Sequence, residues 1–364
     1  MLFDLAITGA GPAGAACAIA AAQAGWRVAL VERAVFPRHK VCGDCLNPSV
    51  WPVLESLGVA SAVRDLDHAP LRQVRFSRTN GRTLTLPLPP GAERAVTRES
   101  MDAVLLNAAL AAGVTLFQGA PLTSVQQNAP TSAWQLSTSR RSLEARVLVA
   151  ADGRNSTTCR LLGLMPAARA REARRVALQC HAPLDPAYQG TVALELTPWG
   201  YCGLAPVDAC RMNLCVVTGP SFLAQAKESL QQRFGLPPDQ AWHSLAPLER
   251  ADVDPAPLPG CFTAGDAARV VEPFTGEGIF YALSSGQLAA AAAGRHLLGQ
   301  SGASQSYQEA HRQLYHRRLW VNRLTRLAVT HRFLGNTLLG LGHCFPSLLQ
   351  GLTAKIVPVP EEIR

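Results

Sequence analysis

The stretch Phe3-Asp-Leu-Ala-Ile-Thr8-Gly9-Ala-Gly11-Pro12-Ala13-Gly14 decides the fold. Phe3 to Thr8 is a short apolar run of strand character, and the glycines follow it at once. A helix of small residues then runs to about Gln23, and Arg27 to Glu32 forms the next strand. Gly9 permits a tight turn, Gly11 lets the main chain approach a pyrophosphate, and Gly14 lets helix and strand pack closely. Pro12 suits the first helical turn, where its missing N–H costs nothing, and Ala13 keeps that turn small. Phosphates would sit on the helix N-terminus. Glu32, at the end of the second strand, is placed for the hydroxyl pair of a ribose. Flanking strands, helix and acid together imply a dinucleotide site.

Two later segments share one grammar, a short apolar strand that delivers an aspartate at its carboxyl end. The first is Leu148-Val-Ala-Ala-Asp152-Gly153-Arg-Asn-Ser156, and the second is Cys261-Phe-Thr-Ala-Gly265-Asp266-Ala-Ala-Arg269. In an open α/β sheet ligands lie outside the carboxyl ends of the strands, so three such ends converge on one crevice. After Asp266 comes Val271-Glu-Pro273-Phe-Thr-Gly276-Glu277-Gly278-Ile279, then a long helix. Asp266 can accept from a polyol chain. The Gly276 to Gly278 turn offers backbone N–H groups and a helix dipole to an electron-rich ring. A reduced flavin, negative at its pyrimidine edge, needs that.

With these residues in view, the chain resembles the flavoprotein hydroxylase superfamily, of the p-hydroxybenzoate hydroxylase type. More narrowly, Gly265-Asp-Ala-Ala, Pro273, Thr275-Gly-Glu-Gly-Ile279 and Phe36-Pro-Arg38-His-Lys40-Val-Cys42-Gly43-Asp44 are similar to its geranylgeranyl reductase branch. The resemblance implies FAD. Gly9, Gly11, Gly14, Glu32 and Arg33 would hold the adenosine diphosphate half, and Arg98, at a helix start, would reach the pyrophosphate. Asp266 would bind the ribityl chain, and Pro273, Gly276 and Gly278 would line the isoalloxazine. Pro12, Ala13, Cys42, Gly43, Asp152 and Gly265 would also contact the cofactor.

That branch carries a substrate-lining PxxYxWxFP motif. Here the segment reads Pro198-Trp-Gly-Tyr201-Cys-Gly203-Leu-Ala205-Pro206, so Gly203 and Ala205 stand where the motif has Trp and Phe. Losing two aromatics predicts open space beside the flavin and a wider lipophilic ligand lined by Tyr201, Gly203 and Ala205. Tyr201 and Cys42 are the candidate catalytic groups. Cys42-Gly-Asp-Cys45 admits either a working dithiol or a loop near the flavin in which Cys42 alone matters. No second nucleotide fold is visible, so NADH or NADPH would bind transiently as electron donor. The reaction expected is hydride transfer from reduced FAD to a carbon-carbon double bond, with oxygen-dependent hydroxylation of an aromatic or quinone-like ring as the alternative.

The expected fold class is α/β, a Rossmann-like FAD-binding domain with an inserted, mostly antiparallel β substrate domain and a C-terminal helical region. Residues 1–70, 93–165 and 259–300 form the first, 71–92 and 166–258 the second, and 301–364 the third. The 364 residues are 48% hydrophobic and 16% charged, which excludes disorder, coiled coil and fibrous repeat. The ten cysteines are scattered through apolar runs and read as reduced. No secretory leader, metal pattern or spanning helix is expected, and the chain reads as cytoplasmic. Of the net charge of +8, most sits late: Ala310 to Pro360 contains Arg312, Arg317, Arg318, Arg323, Arg326, Arg332 and Lys355 with no acid. An apolar stripe at Leu334, Leu338, Leu341, Phe345, Leu348 and Leu352 follows the arginines. Such a segment suits peripheral contact with an anionic membrane or a helix on the protein's own core, and nucleic acid is not expected.

Overall fold

The computed structural model describes residues 2–78, 81, 83–88, 91, 93–129, 131–165, 175–248, 250–316, 320 and 327. The late basic stretch beyond His316 and its apolar stripe therefore lie almost wholly outside the described residues. Among the described residues there are two seven-stranded sheets and a three-stranded one.

The first sheet is the nucleotide sheet. Leu2–Thr8 pairs in parallel with Val28–Glu32 on one side and with Ser142–Ala150 on the other. Thr115–Gln118 and Cys261–Thr263 extend it in parallel at the two flanks. The hairpin of Leu122–Gln127 and Trp134–Thr138 adds an antiparallel wing. Its central strands are apolar on both faces because helices cover one and the wing shields the other. The Ala-rich helix Pro12–Gln23 is buried over most of its surface. It packs on Gly278–Leu297, and the contact depends on missing side chains: a Cβ on Gly286 would lie 2.2 Å from Ala13 O, and one on Gly14 would lie 1.7 Å from Gly9 O.

The second sheet is almost wholly antiparallel, in the order His243–Leu245, Val176–Pro183, Arg211–Thr218, Gly200–Pro206, Thr191–Thr197, Gln73–Arg78, Thr83–Pro87. Only Thr191–Thr197 and Gln73–Arg78 run parallel. Gln73–Arg78 and Thr83–Pro87 pair antiparallel at the end of this order. Strand alternation gives the sheet two uses. Cys180, Cys202, Leu204, Leu214 and Val216 point to one face, under the helix Leu223–Arg233. Ala177, Tyr201 and Val217 point to the other, toward Val41 and Phe274. That second face roofs the crevice of the nucleotide sheet. The helix Ala303–His316 closes the core against Gly278–Leu297, with Tyr307 donating to Thr263 O at 2.7 Å. No helix of the described residues is long and apolar enough to cross a membrane.

Candidate active site

A cavity of about 620 Å³ runs between the nucleotide sheet and the roof. Its floor is the glycine turn, with Gly9, Gly11, Pro12 and Ala13 on the wall. Gly9 has φ 91° and no room for a side chain, since a Cβ would meet Ala151 O at 2.6 Å. Gly14 and Gly265 are not on the wall; they serve packing. A Cβ on Gly265 would lie 2.9 Å from Ala13 Cβ.

Glu32 lies on the wall, and the turn itself aims it: the N–H groups of Ala10 and Ala34 each donate to its carboxylate at 2.8 Å. Arg33, Arg38, Lys40, Arg98, Arg154 and Arg160 stand around the same cavity against Glu32, Asp152 and Asp266. Six bases against three acids make this wall a site for an anion. Lys40 records the crowding. Recession in the protein and the Arg98 charge lower its amine to about 8, with Arg38 and Arg33 adding to them and Asp266 opposing. Arg38 stacks on Phe36, and its buried Nη1 makes no hydrogen bond although Asp102 is 3.2 Å away. Arg154 donates to Leu248 O and to Asp266 at 3.3 Å, leaving its buried Nε without a partner.

Two expected ligand contacts are committed elsewhere. The carboxylate of Asp152 accepts from Ser156 Oγ, from Thr158 N–H at 2.9 Å and from Thr158 Oγ1 at 3.0 Å. It thereby supports the start of the helix Thr157–Leu161, whose N-cap is Ser156. Arg98 clasps Asp102 with two bonds of 2.9 and 2.8 Å. Burial opposes its charge, but Asp102 holds the guanidinium protonated, and Cys42 Sγ lies against it. Arg98 reaches the cavity as a neighbour of Cys42 more than as a free phosphate ligand.

On the far side of the cavity are Pro273, Gly276 and Gly278, from which the helix Gly278–Leu297 departs. Gly276 has φ 66°, and neither it nor Gly278 has an atom within 4 Å of its missing Cβ. Both line the cavity, so the main chain is accessible here at the positive end of a helix, although the Gly276 N–H itself is bonded to Pro273 O at 3.1 Å. Above it the wall turns apolar, with Ala177, Val217, Leu245 and Leu248 beside Cys215 and Val41. Cys42 and Gly43 connect the two halves. Burial pushes the Cys42 thiol up, partly offset by the Arg98 cation. Cys45 Sγ is turned onto Gly43 O at 3.3 Å, away from any pairing with Cys42.

The roof corrects the expectation of open space. Tyr201, Gly203 and Ala205 are not among the residues on the cavity wall. Tyr201 is buried, its hydroxyl donates to Glu272 at 3.2 Å, and Glu272 is also held by Arg175. Burial and the Glu272 charge push its phenol well above the ordinary value, and its hydroxyl is turned to Glu272 and not to the cavity. Leu194 fills the place over Gly203, with its Cδ2 3.8 Å from where a Cβ would be. Ala205 is buried within the sheet. The neighbours have repacked, so the apolar end is made by other strands. Lys40, Arg38, Arg154 and the roof residues carried no assigned role from sequence. Arg154 had a signal, since it directly follows the Asp152-Gly153 turn.

A glycine-turn dinucleotide floor, a helix-end cradle and an antiparallel roof together define the FAD-dependent oxidoreductases of the flavoprotein hydroxylase type. Residues 3–209 match the family model described as an FAD binding domain, and the chain belongs to that family. Among curated relatives, the chain is 30% identical over 329 residues to a menaquinone reductase of Mycolicibacterium smegmatis, across 79% of this chain and 75% of that one. It is 27% identical over 315 residues to a geranylgeranyl diphosphate reductase of Rhodobacter capsulatus, across 80% and 75%. It spans 63% of the length of another relative, a conditioned medium factor receptor 1 of Dictyostelium discoideum, at 27% identity over 324 residues and 80% of this chain. The fold is also that of PqsL of Pseudomonas aeruginosa, described as a probable FAD-dependent monooxygenase (TM-score 0.76, 20% identity, 92% of this chain and 98% of that one).

Proposed function

We propose that the protein reduces a carbon-carbon double bond of a lipophilic small molecule, prenylated, alkyl-tailed or polyketide-like, at the expense of FAD reduced transiently by NADH or NADPH. One observation carries the reading: a single cavity passes from a cationic glycine floor to an apolar roof, with the helix-end cradle between them. The residues fit FAD, because the buried Nε of Arg154 lacks a partner beside the cavity and the glycines leave main chain accessible from it. When bound and reduced, FAD supplies a hydride.

The chain's own residues then divide the work. Arg33, Arg38 and Lys40 would bind the pyrophosphate with the glycine turn, Glu32 the ribose and Asp266 the ribityl chain. Gly276 and Gly278 would hold the anionic edge of the ring, and Pro273 would fix its plane. Ala177, Val217, Leu245 and Leu248 would take the apolar ligand, each buried methylene contributing about 0.8 kcal/mol. They also exclude water from the reacting carbons. Cys42 Sγ would hold the proton that completes the reduction; its raised thiol keeps that proton at neutral pH, and the Arg98 cation steadies the charge left behind. The menaquinone and geranylgeranyl relatives support a substrate with a long apolar tail.

A second reading, hydroxylation of an aromatic or quinone-like ring with oxygen, draws support from the likeness in fold to PqsL. Mass spectrometry of a lipid and quinone extract, incubated in air with FAD-loaded protein and NADPH, tests both. A compound gaining two hydrogens supports reduction; one gaining oxygen supports hydroxylation. The late basic stretch supports peripheral contact with an anionic membrane, and binding to anionic vesicles should then weaken with salt.

A further inference from the structure

One buried carboxylate has no part in the chemistry above. Asp44 is 1% exposed, and its backbone is left-handed, with φ 56°. Such a conformation in a non-glycine residue persists only where the surroundings enforce it. Here they do: Asp44 Oδ2 accepts from His181 Nε2 at 2.8 Å, Asn213 Nδ2 at 3.0 Å and Gln179 Nε2 at 3.1 Å, and Oδ1 accepts from Arg98 N–H at 3.2 Å.

The same amides grip Cys42. Gln179 Oε1 accepts from Cys42 N–H at 3.1 Å, and Asn213 Nδ2 donates to Cys42 O at 2.7 Å. The left-handed turn keeps Asp44 close to Cys42, and the Arg98 guanidinium lies near enough to the same sulfur to oppose the Asp44 charge there. The sulfur therefore sits between a cation and an anion. The charged groups that act on it are Asp44 from its own loop and Arg98, tied to Asp102, from the helix Arg98–Ala111, while Arg38, Lys40 and Cys45 line the same cavity. Cys215 faces it from the roof, and His181 acts on it through Asp44.

We propose that Asp44 is a positioning residue for Cys42: with Gln179 and Asn213, which bond both residues, it fixes the Cys42 loop beside Arg98, and its carboxylate, anchored to the roof by Gln179, His181 and Asn213, sets a negative charge near the sulfur. The inference rests on the reading of Cys42 as proton donor. In that step a hydride adds to one carbon of the double bond, and the Sγ–H bond breaks. The proton forms the second C–H bond, and the electron pair stays on sulfur as a thiolate, later reprotonated from water. The donor must begin protonated, which the Asp44 charge favours, and end as an anion, which Arg98 favours. The two side chains thus push the thiol in opposite directions.

The test is alkylation of Cys42 by iodoacetamide in the FAD-loaded full chain across a pH series, read by fragment mass spectrometry that separates Cys42 from Cys45. Asp44→Asn should lower the midpoint by about one pH unit, and Arg98→Met should raise it by a similar amount. The flavin absorbance checks that each variant remains loaded. Midpoints that move together, or do not move, overturn the assignment, because a residue that only shapes the loop has no reason to oppose Arg98 in sign. If Asp44→Asn does not fold, Asp44→Ser carries the same expectation, and an unchanged or lowered midpoint in Arg98→Met overturns the assignment alone. Opposed shifts with no reduced product in the extract assay would support the assignment and overturn the reductase reading instead.

Discussion

The floor of the cavity and its roof meet one ligand space by different means. The floor is made of backbone: Gly9, Gly11, Gly276 and Gly278 contribute mainly by lacking side chains, Gly14 packs behind them, and five arginines and one lysine around them outnumber three acids. The roof is made of side chains from strands far apart in sequence, Ala177, Val217, Leu245 and Leu248, over a layer of buried amides. At Gly9 and Gly14 such a floor tolerates almost no change, because added atoms strike main chain. A roof of that kind can be reshaped residue by residue, which is how one fold comes to serve different substrates.

The largest expected effect is therefore in the floor. Gly14→Val puts a side chain 1.7 Å from Gly9 O, and neither helix nor turn can yield. It should cost about 3 kcal/mol or more and give protein without bound flavin, read by thermal melting and visible absorbance. Retention of FAD by that variant would break the contrast. Next comes the roof: Ala177→Phe should leave FAD bound but slow turnover of the lipophilic substrate by about tenfold or more, as overpacking costs about 1–3 kcal/mol. Loss of flavin instead would mean that floor and roof are not separable.

Lys40 gives a pH test of the floor. Its amine is lowered to about 8, so in the ligand-free protein it loses charge as pH rises through that value. The unfolded chain keeps the proton to higher pH, so the ligand-free protein gains stability from about 8 upward, while its hold on an anionic ligand declines. FAD should bind up to about tenfold more weakly at pH 9 than at pH 7, and Lys40→Met should flatten that dependence. Equilibrium dialysis checks both. The smallest effect is at Tyr201. Tyr201→Phe removes one bond to Glu272, which keeps Arg175, so about 1 kcal/mol of stability is lost and turnover should stay within about threefold. A hundredfold fall would restore Tyr201 as a proton donor.

The same contrast explains what could be read from the chain. The floor was legible because each turn needs its glycine at a fixed offset from a strand, and Asp266 and the Gly276 to Gly278 turn announce themselves by order alone. Asp152 and Arg98 both line the cavity, but the local hydrogen bonds that engage their side chains, to Thr158 and to Asp102, were not legible. The roof was not legible: a glycine at 203 predicts space only if nothing fills it, and Leu194, its cross-strand partner, does so. The Asp44 cluster joins residues 44, 98, 179, 181 and 213, and no spacing rule links them.

The most direct test of the central claim excludes oxygen. Protein carrying reduced FAD is mixed anaerobically with menaquinone, the flavin absorbance is followed, and the product is reoxidised before mass analysis so that simple quinol formation is erased. The account predicts that the flavin reoxidises without oxygen and that the product keeps two added hydrogens. Flavin that stays reduced until oxygen is admitted, with a product that then gains an oxygen atom, would contradict it.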